Sequence, residues 1–264
     1  MFIAALLSIA WPAARADQPL WEAGLGIGVL RLPDYRGSDQ SRTWVLPVPY
    51  IAYRGDILKA DREGARAVLL DTERVDFDVS VAATAPTRSE NNDARQGMPD
   101  LAATFEIGPN LNATLARGSW WKLQLRAPVR AALTIESHPR MVGWLASPNL
   151  NLDTKVNGWN ASLLGGPVFG SRSFNAYYFD VAPEFSTSTR PAYRAPGGFG
   201  GWRLLASTSR RLGSWWVGAF ATADTVRGAV YDNSPLVRKH GTLAFGFAVS
   251  YVFAVSAQQV PDDN

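Results

Sequence analysis

Hydrophobic and polar residues alternate with a period of two along most of the chain after residue 17. The clearest runs lie at 21–29, 75–85, 123–133 and 243–253. Successive side chains of a β-strand point to opposite faces, so each run predicts a strand with one apolar face. Each run is about ten residues long, which is the length of a tilted strand that crosses the hydrocarbon layer of a membrane.

The same pattern over the whole chain predicts about twelve strands, separated by turn residues such as Asn157-Gly158. The predicted strands are 20–30, 43–54, 56–70, 74–86, 100–116, 120–135, 141–155, 158–168, 174–187, 198–210, 214–225 and 241–253. After residue 17, no stretch reaches the roughly 18 consecutive apolar residues that a membrane-spanning helix requires. The sequence therefore predicts a protein made of strands.

Three features favour a transmembrane barrel over a soluble sandwich or a lipocalin, which alternation alone would also fit. One face is apolar in nearly every run, whereas the other face carries charge in several. Many Trp lie near the ends of runs, as in the aromatic girdles of membrane barrels. They are Trp21, Trp44, Trp120, Trp121, Trp144, Trp159, Trp215 and Trp216. The last run ends on an aromatic, Phe253, so we predict an all-β fold: one transmembrane antiparallel up-and-down β-barrel of about 12 strands.

The first residues predict export. Residues 1–16 hold an apolar stretch too short to span a bilayer, and Ala14-Arg15-Ala16 fits the small-x-small pattern of a signal-peptide cleavage site. A short N-terminal helix of a cytosolic protein is the alternative, and the absence of Lys or Arg before the apolar stretch departs from the signal pattern. The predicted domains are a signal peptide at 1–16 and a barrel at 17–264, in which 254–264 is a polar C-terminal tail.

Composition removes several functional classes. With 47% hydrophobic and 19% charged residues, the chain is too apolar to be disordered. The absence of Cys excludes disulfides, Cys-ligated zinc and thiol catalysis, and two His leave little for another metal site. The net charge is +3, and the basic residues are scattered rather than gathered in the stripe that a nucleic acid would need. We therefore expect no metal, no cofactor and no nucleic-acid partner.

The strand count assigns a side of the membrane to each long connection. With the N-terminus in the periplasm, segments 31–42, 188–197 and 226–240 are predicted outside, as expected for long connections. The same count puts 87–99 in the periplasm, which is unusual for a long connection. An additional strand near Glu63-Gly64 would reverse that assignment.

Segment 87–99 is the predicted contact site for a partner. It is polar, contains both signs of charge and has no strand pattern. Loops positioned by a rigid scaffold commonly carry function, and we predict Asp93, Arg95 and Met98 as the anchoring residues. The alternatives are a solvated connection and a segment folded into the lumen as a plug.

The inward faces of the strands predict the content of the lumen. The candidate lumen-lining residues are Asp76, Asp78, Glu106, Lys122, Arg126 and Arg130. Since both signs occur, internal ion pairs would close the lumen, and a narrow aqueous pore is the rival interpretation. Asp232, Ser234 and His240 share one predicted external loop, but a flexible loop does not fix the hydrogen bonds of a catalytic triad. We predict no catalytic residues and no enzyme.

Several stretches, in order along the chain, resemble one protein family. They are 35–40 (YRGSDQ), 46–51 (LPVPYI), 53–55 (YRG), 92–101 (NDARQGMPDL), 106–109 (EIGP), 190–193 (RPAY), 197–199 (GGF) and 233–237 (NSPLV). The set resembles the MipA/OmpV family of Gram-negative outer-membrane proteins (MltA-interacting protein) from about residue 21 to residue 253. The extension after Phe253 departs from the family, in which a terminal aromatic residue usually ends the chain.

The resemblance implies a scaffold in the outer membrane. In that interpretation the barrel contacts outer-membrane lipid and docks a lytic transglycosylase and a bifunctional peptidoglycan synthase at the periplasmic side. Other members of the family are described as porin-like, so a narrow channel for small solutes is the alternative function.

Overall fold

The computed structural model describes residues 18–55, 57–61 and 64–261, and an antiparallel sheet dominates it. The strands are β1 (Gln18–Pro19), β2 (Trp21–Pro33), β3 (Ser41–Arg54), β4 (Leu58–Asp61), β5 (Gly64–Asp71), β6 (Val75–Thr84), β7 (Thr104–Arg117), β8 (Trp121–Thr134), β9 (Met141–Ala146), β10 (Asn149–Val156), β11 (Trp159–Gly170), β12 (Gly198–Leu212), β13 (Trp215–Thr225), β14 (Gly241–Val255) and β15 (Gln259–Val260). One α-helix, α1 (Arg172–Phe179), and two 3-10 turns, Ser89–Asn91 and Pro183–Phe185, complete the elements. The predicted signal peptide, 1–16, lies outside the described residues.

The sheet closes into a barrel at two seams. β14 pairs with β2, with Phe247 opposite Val29. β9 and β10 both lie between β8 and β11, so they are two halves of one strand that is interrupted at Ser147-Pro148. Counted in this way, the described wall contains twelve strands, which confirms the predicted fold class.

The alternation of the sequence becomes the two faces of the wall. On β2, Ile27 points outward and is 58% exposed, whereas the neighbouring Gly28 is buried in the lumen. Exposed Trp side chains lie near both ends of the wall, as predicted: Trp21, Trp120, Trp159 and Trp215 near one end, and Trp144 near the other. Trp202, which was not in the predicted set, is also exposed near the second end, and Trp121 is only partly exposed. Trp44 and Trp216, which were predicted for the girdles, instead point inward, because each pairs with an inward residue of the neighbouring strand.

Two errors in the predicted strands cancel in the total. Segment 56–70 is two antiparallel strands, β4 and β5, with Asp61 opposite Gly64. Segment 174–187 is not a strand but α1 followed by a 3-10 turn. Its aromatic residues suggested a strand, but the Ser171 hydroxyl accepts a hydrogen bond from the N–H of Phe174 and caps a helix there. No helix in the described part of the chain is long and apolar enough to cross a membrane.

The additional strand moves segment 87–99 to the other end of the barrel. The prediction that this segment lies at the end of the chain termini is wrong. Thr87 donates from its hydroxyl to the carbonyl of Asp34 (2.6 Å), within the connection from β2 to β3. Arg190 donates to the carbonyl of Ala94 (3.0 Å), so 87–99 lies with the segments that were predicted outside.

The two ends of the described chain meet outside the wall. β1 pairs with β15, and the N–H of Leu20 donates to the carbonyl of Gln258 (2.9 Å). β14 extends to Val255, so the predicted tail at 254–264 begins inside a strand. We call this end of the barrel the terminus end; the connections there are short.

The ladder of the wall has a gap beside β3. β3 pairs with β4 at Tyr53 and Arg54, and across the described ranges its other residues have no ladder partner on that side. On the far side stands β6, whose residues 81–84 pair in the described chain with β7 alone. The β4–β5 hairpin borders the gap on the side of the terminus end. At the other end of the gap, Arg42 donates to the carbonyl of Arg88 (3.1 Å). We call this opening the lateral gap.

Two prolines of β3 face the lateral gap. The N–H of Arg54 donates to the carbonyl of Leu20, on the β2 side (2.8 Å). Donor directions alternate along a strand, and the β2–β3 register has no bulge. The nitrogens of Pro47 and Pro49 therefore point into the gap. Proline cannot donate to a ladder, so these positions suit an edge that stays unpaired.

We expect the substitution of Val for both Pro47 and Pro49 to cause edge-to-edge association, because an unguarded edge pairs with another chain. Light scattering of the detergent-solubilised barrel should show several times more dimer than in the unchanged protein. Pro109→Val is the control, because β7 has a partner strand on each side, and its mass should not change. A double variant that does not associate would show that the prolines do not guard this edge.

Candidate functional site

Four connections at the end opposite the termini fold together into a cap. They are 34–40, 87–103, 171–197 and 226–240. Buried side chains from all four form one apolar cluster: Tyr35, Leu101, Phe179, Val181, Ala195, Val226, Ala229, Tyr231 and Leu236. Because this cluster excludes water between the connections, the cap is a small folded unit on the mouth of the barrel rather than a set of free loops.

Aromatic contacts hold the centre of the cap. The rings of Phe179 and Tyr231 stack with centroids 3.8 Å apart. The hydroxyl of Tyr231 donates to the carbonyl of Gly200 in β12 (2.9 Å), and that of Tyr35 donates to the carbonyl of Leu236 (2.8 Å). Burial raises the pKa of Tyr35 and of Tyr231 above the ordinary value, and it raises the pKa of Tyr178 to about 12.

The predicted partner-binding residues have three different environments. Arg95 is 3% exposed and donates to the carbonyls of Tyr178 (3.1 Å) and Pro99 (3.1 Å). Met98 packs against the apolar cluster, and Asp93 is exposed. Arg95 therefore holds the cap together and cannot anchor a partner, which corrects that part of the prediction. An open depression of about 540 Å³ lies beside Met98 on the outer surface.

A second arginine and a serine also serve the cap. Arg190 donates to the carbonyls of Phe185, Ala94 and Gln96, so it ties two connections together. Ser234 is buried and donates from its hydroxyl to the carbonyl of Phe179 (2.8 Å). This bond gives the hydroxyl a structural role in the cap.

An ion cluster lies directly under the cap. Asp224 of β13 is buried and accepts two hydrogen bonds from the guanidinium of Arg203 (2.9 and 3.1 Å). Arg36 approaches the same carboxylate from the cap, at 3.4 Å. Glu106 interacts with Arg203 and with Arg130. The cap and the wall are thus joined by charge as well as by apolar packing.

Deeper in the lumen the polar residues pair within the wall. Asp78 accepts hydrogen bonds from the amides of Asn110 (3.2 Å) and Asn112 (2.7 Å). Arg126 and Asp153 form an ion pair at 3.1 Å. These pairs line β6, β7, β8 and β10, which form the polar half of the lumen.

The predicted lumen residues lie on inward faces, but they do not form one group. Arg130 reaches over Gly108 to donate to the hydroxyl of Ser80 (3.0 Å), near Glu106. Asp76 and Lys122 lie nearer the terminus end. The sequence analysis missed Arg36, because it belongs to a connection and not to an alternating run.

The other half of the lumen is formed by β13, β14, β2 and β3, and its middle is apolar, which the sequence analysis also missed. Asp224 lies on the same side nearer the cap and Glu22 nearer the terminus end. Glycines let large side chains lie flat there: a Cβ on Gly246 would meet Leu30 and Phe220 at 2.5 Å, and one on Gly28 would meet Val48 at 2.7 Å. A cavity of about 220 Å³ lies against this wall.

Comparison with known proteins gives one family match and several distant structural likenesses. The family model described as MltA-interacting protein MipA matches residues 25–253. No curated protein matches the chain. No group of His, Asp or Glu suited to a metal ion occurs among the described residues.

Three solved structures are distantly similar. A bacterial polysaccharide outer membrane secretin has a TM-score of 0.44 at 7% identity, over 88% of this chain and 99% of that one. The outer membrane protein OprD from Pseudomonas aeruginosa has a TM-score of 0.28 at 8% identity, over 94% and 96%. The toluene transporter TbuX of Ralstonia pickettii has a TM-score of 0.28 at 8% identity, over 92% and 71%. At these values they assign no ligand to the chain.

Asp224→Asn should lower the free energy of unfolding by about 2 kcal/mol, because it leaves Arg36 without its carboxylate partner and leaves Arg203 with Glu106 alone under the cap. Urea unfolding followed by Trp fluorescence measures the loss. Glu136→Gln removes the carboxylate of the exposed pair with Arg140, and it should change the stability by less than about 0.5 kcal/mol. Equal effects of the two substitutions would contradict a stabilising role for the ion cluster.

The cap should loosen at alkaline pH. A buried Tyr with a raised pKa stabilises the folded cap fully below about pH 10, where an unfolded Tyr begins to ionise. That stability is lost as the pH rises toward the folded pKa, which is about 12 for Tyr178. Limited proteolysis of 171–197 should therefore accelerate between these values, and Tyr178→Phe should weaken the pH dependence. Unchanged proteolysis up to pH 12 would refute the linkage.

Proposed function

The chain belongs to the MltA-interacting protein MipA family, and from that premise we propose that it is a non-enzymatic outer-membrane barrel that holds a lytic transglycosylase at its terminus end. The observation that supports this site is the position of the termini and of the short connections at one end. In outer-membrane barrels the short turns face the periplasm and the long loops face outward. The terminus end would then face the cell wall.

Export by the signal peptide at 1–16 is part of this proposal. A band of exposed apolar residues, including Leu25, Ile27, Phe245 and Phe247, covers the outside of the wall between the Trp side chains at the two ends. Such a band suits contact with membrane lipid. A bifunctional peptidoglycan synthase would be a second partner on the same side.

A basic rim is the surface that we assign to the transglycosylase. It consists of Arg74, Arg117, Lys155 and Arg210, which follow one another around the terminus end from β6 to β12. The exposed Asp71 and Glu73 lie beside Arg74, so the excess of positive charge is greatest from Arg117 onward. Arg74 and Arg117 are exposed, and Arg210 stacks on Trp159 at 5.5 Å. Opposite charges steer encounters between proteins, so this rim suits a partner with an acidic patch. The assignment replaces segment 87–99, which lies at the far end.

A narrow channel is the second candidate function, and the polar half of the lumen favours it. The cap covers one mouth, and the ion cluster lies beneath it. We expect the intact barrel to be silent in planar bilayers, since the charged groups that could line a pore pair with one another.

The decisive experiment is the capture of a purified lytic transglycosylase by the refolded barrel. The double variant Arg74→Glu, Arg117→Glu should bind about tenfold more weakly, because both reversals act on long-range attraction. Arg88→Glu is the matched control, since Arg88 is as exposed but belongs to the cap, and it should bind like the unchanged protein.

The other outcomes separate the hypotheses. If the double variant and Arg88→Glu lose binding equally, the transglycosylase does not bind at the basic rim. No capture by the unchanged barrel, together with measurable conductance, would refute the scaffold and support the channel.

A further inference from the structure

We propose that the lateral gap is a portal through which one acyl chain of a bilayer lipid enters the apolar half of the lumen. The gap opens the wall between β3 and β6. It extends along β3 from Thr43 to Ile51, about 26 Å of strand, and along β6 from Val81 to Thr84, about 10 Å. The proposal is independent of the transglycosylase, because it concerns the side of the wall and a different ligand, not the rim of the terminus end.

The β3 edge is built to remain open. Pro47 and Pro49 place ring carbons where a partner strand would need N–H donors. If another strand of the same chain filled the gap, its carbonyls would need N–H donors at positions 47 and 49, which proline does not have. The prolines therefore exclude strand addition in the middle of the gap, and they also lower the polarity of its edge.

The outer border of the gap faces the acyl chains of the membrane. On β3, the outward side chains of Val45 and Ile51 are 61% and 65% exposed. On β6, the outward residues along the gap are Val81 and Ala83. Apolar residues thus flank the opening on both sides, so a lipid chain reaches it without leaving its own environment.

The inner border leads directly to the apolar half of the lumen. The inward residues of β3 are Trp44, Leu46 and Val48. Leu46 is 40% exposed although it points inward, so it borders free space rather than packed protein. The apolar surface continues over Leu30 and Phe220 to the cavity of about 220 Å³. A chain that enters the gap can therefore remain on apolar surface.

The backbone selects an amphiphile rather than a plain hydrocarbon. The carbonyls of Thr43, Val45, Pro47, Pro49 and Ile51 point into the gap, as do the nitrogens of the same residues. A carbonyl at membrane depth requires a donor, which a hydrocarbon cannot supply. The headgroup of a lipid, or the water that it carries, can supply one, and its chain then covers the apolar inner surface.

The test measures whether lipid acyl chains or water contact the side chain at position 46. The chain has no Cys, so Leu46→Cys can carry one nitrobenzoxadiazole fluorophore in the full-length barrel, reconstituted in vesicles of phosphatidylethanolamine and phosphatidylglycerol, whose headgroups have N–H and O–H donors. Asn149→Cys is the inward control: it pairs with Arg126, so it points into the polar half of the lumen, away from the surface that the acyl chain would cover. Val45→Cys is the outward reference. The quenchers are a nitroxide on the lipid acyl chain and aqueous iodide.

We expect the acyl nitroxide to quench position 46 nearly as strongly as position 45 and several times more strongly than position 149, with little effect of iodide at position 46. Quenching at 46 as weak as at 149 would overturn the portal, and quenching at 46 dominated by iodide would show a water-filled opening instead. If Leu46→Cys does not fold, as judged by the heat-dependent gel mobility of barrels, Val48→Cys on the same inner face takes its place and is compared with the same control.

Discussion

The hydrocarbon layer of a membrane offers no hydrogen bonds, and this constraint shapes the whole chain. Every backbone N–H and C=O at that depth must find a partner inside the protein. The seam between β14 and β2 supplies hydrogen-bond partners to the outer edges of the first and last long strands. The composite strand of β9 and β10 closes the other side of the wall. Where the ladder is incomplete, beside β3, prolines remove two of the donors that would remain unsatisfied.

Within this wall, the lumen is divided according to the residues that each strand turns inward. The strands from β6 to β10 carry Asp78, Asn110 and Arg126, which satisfy one another within the wall. The strands from β13 to β3 carry glycines under large apolar side chains. Asp224 and Arg203 then connect the wall to the cap through Arg36. A barrel organised in this way is covered by the cap at one mouth and is apolar along one side of its lumen.

The sequence predicted the wall well, because alternation with a period of two is a direct image of a strand between lipid and lumen. The sequence-based prediction failed where helix capping, tertiary packing or burial within a loop cluster decides the structure. The helix α1 depends on the cap at Ser171 and on tertiary packing of aromatic residues that favour strands in isolation. The division of 56–70 into two strands was predicted only as an alternative, near Glu63-Gly64, because this run lacks a strong turn signal. Arg95 looked like a surface anchor because burial within a loop cluster leaves no periodic trace in a sequence.

The edge of β3 contains prolines, whereas the edges that meet at the seam between β14 and β2 do not, and this difference concerns assembly of the barrel. That seam joins residues such as Arg31 and Phe245, so it forms only when nearly the whole chain is present. Before closure, both edges are exposed, and neither strand has a proline in its interior. The β3 edge, which stays unpaired in the folded barrel, is thus protected by its prolines. The edges of β2 and β14, which are unpaired only before closure, are protected only if closure is rapid or if an assembly factor covers them. The period before closure is therefore when this chain is most prone to aggregate.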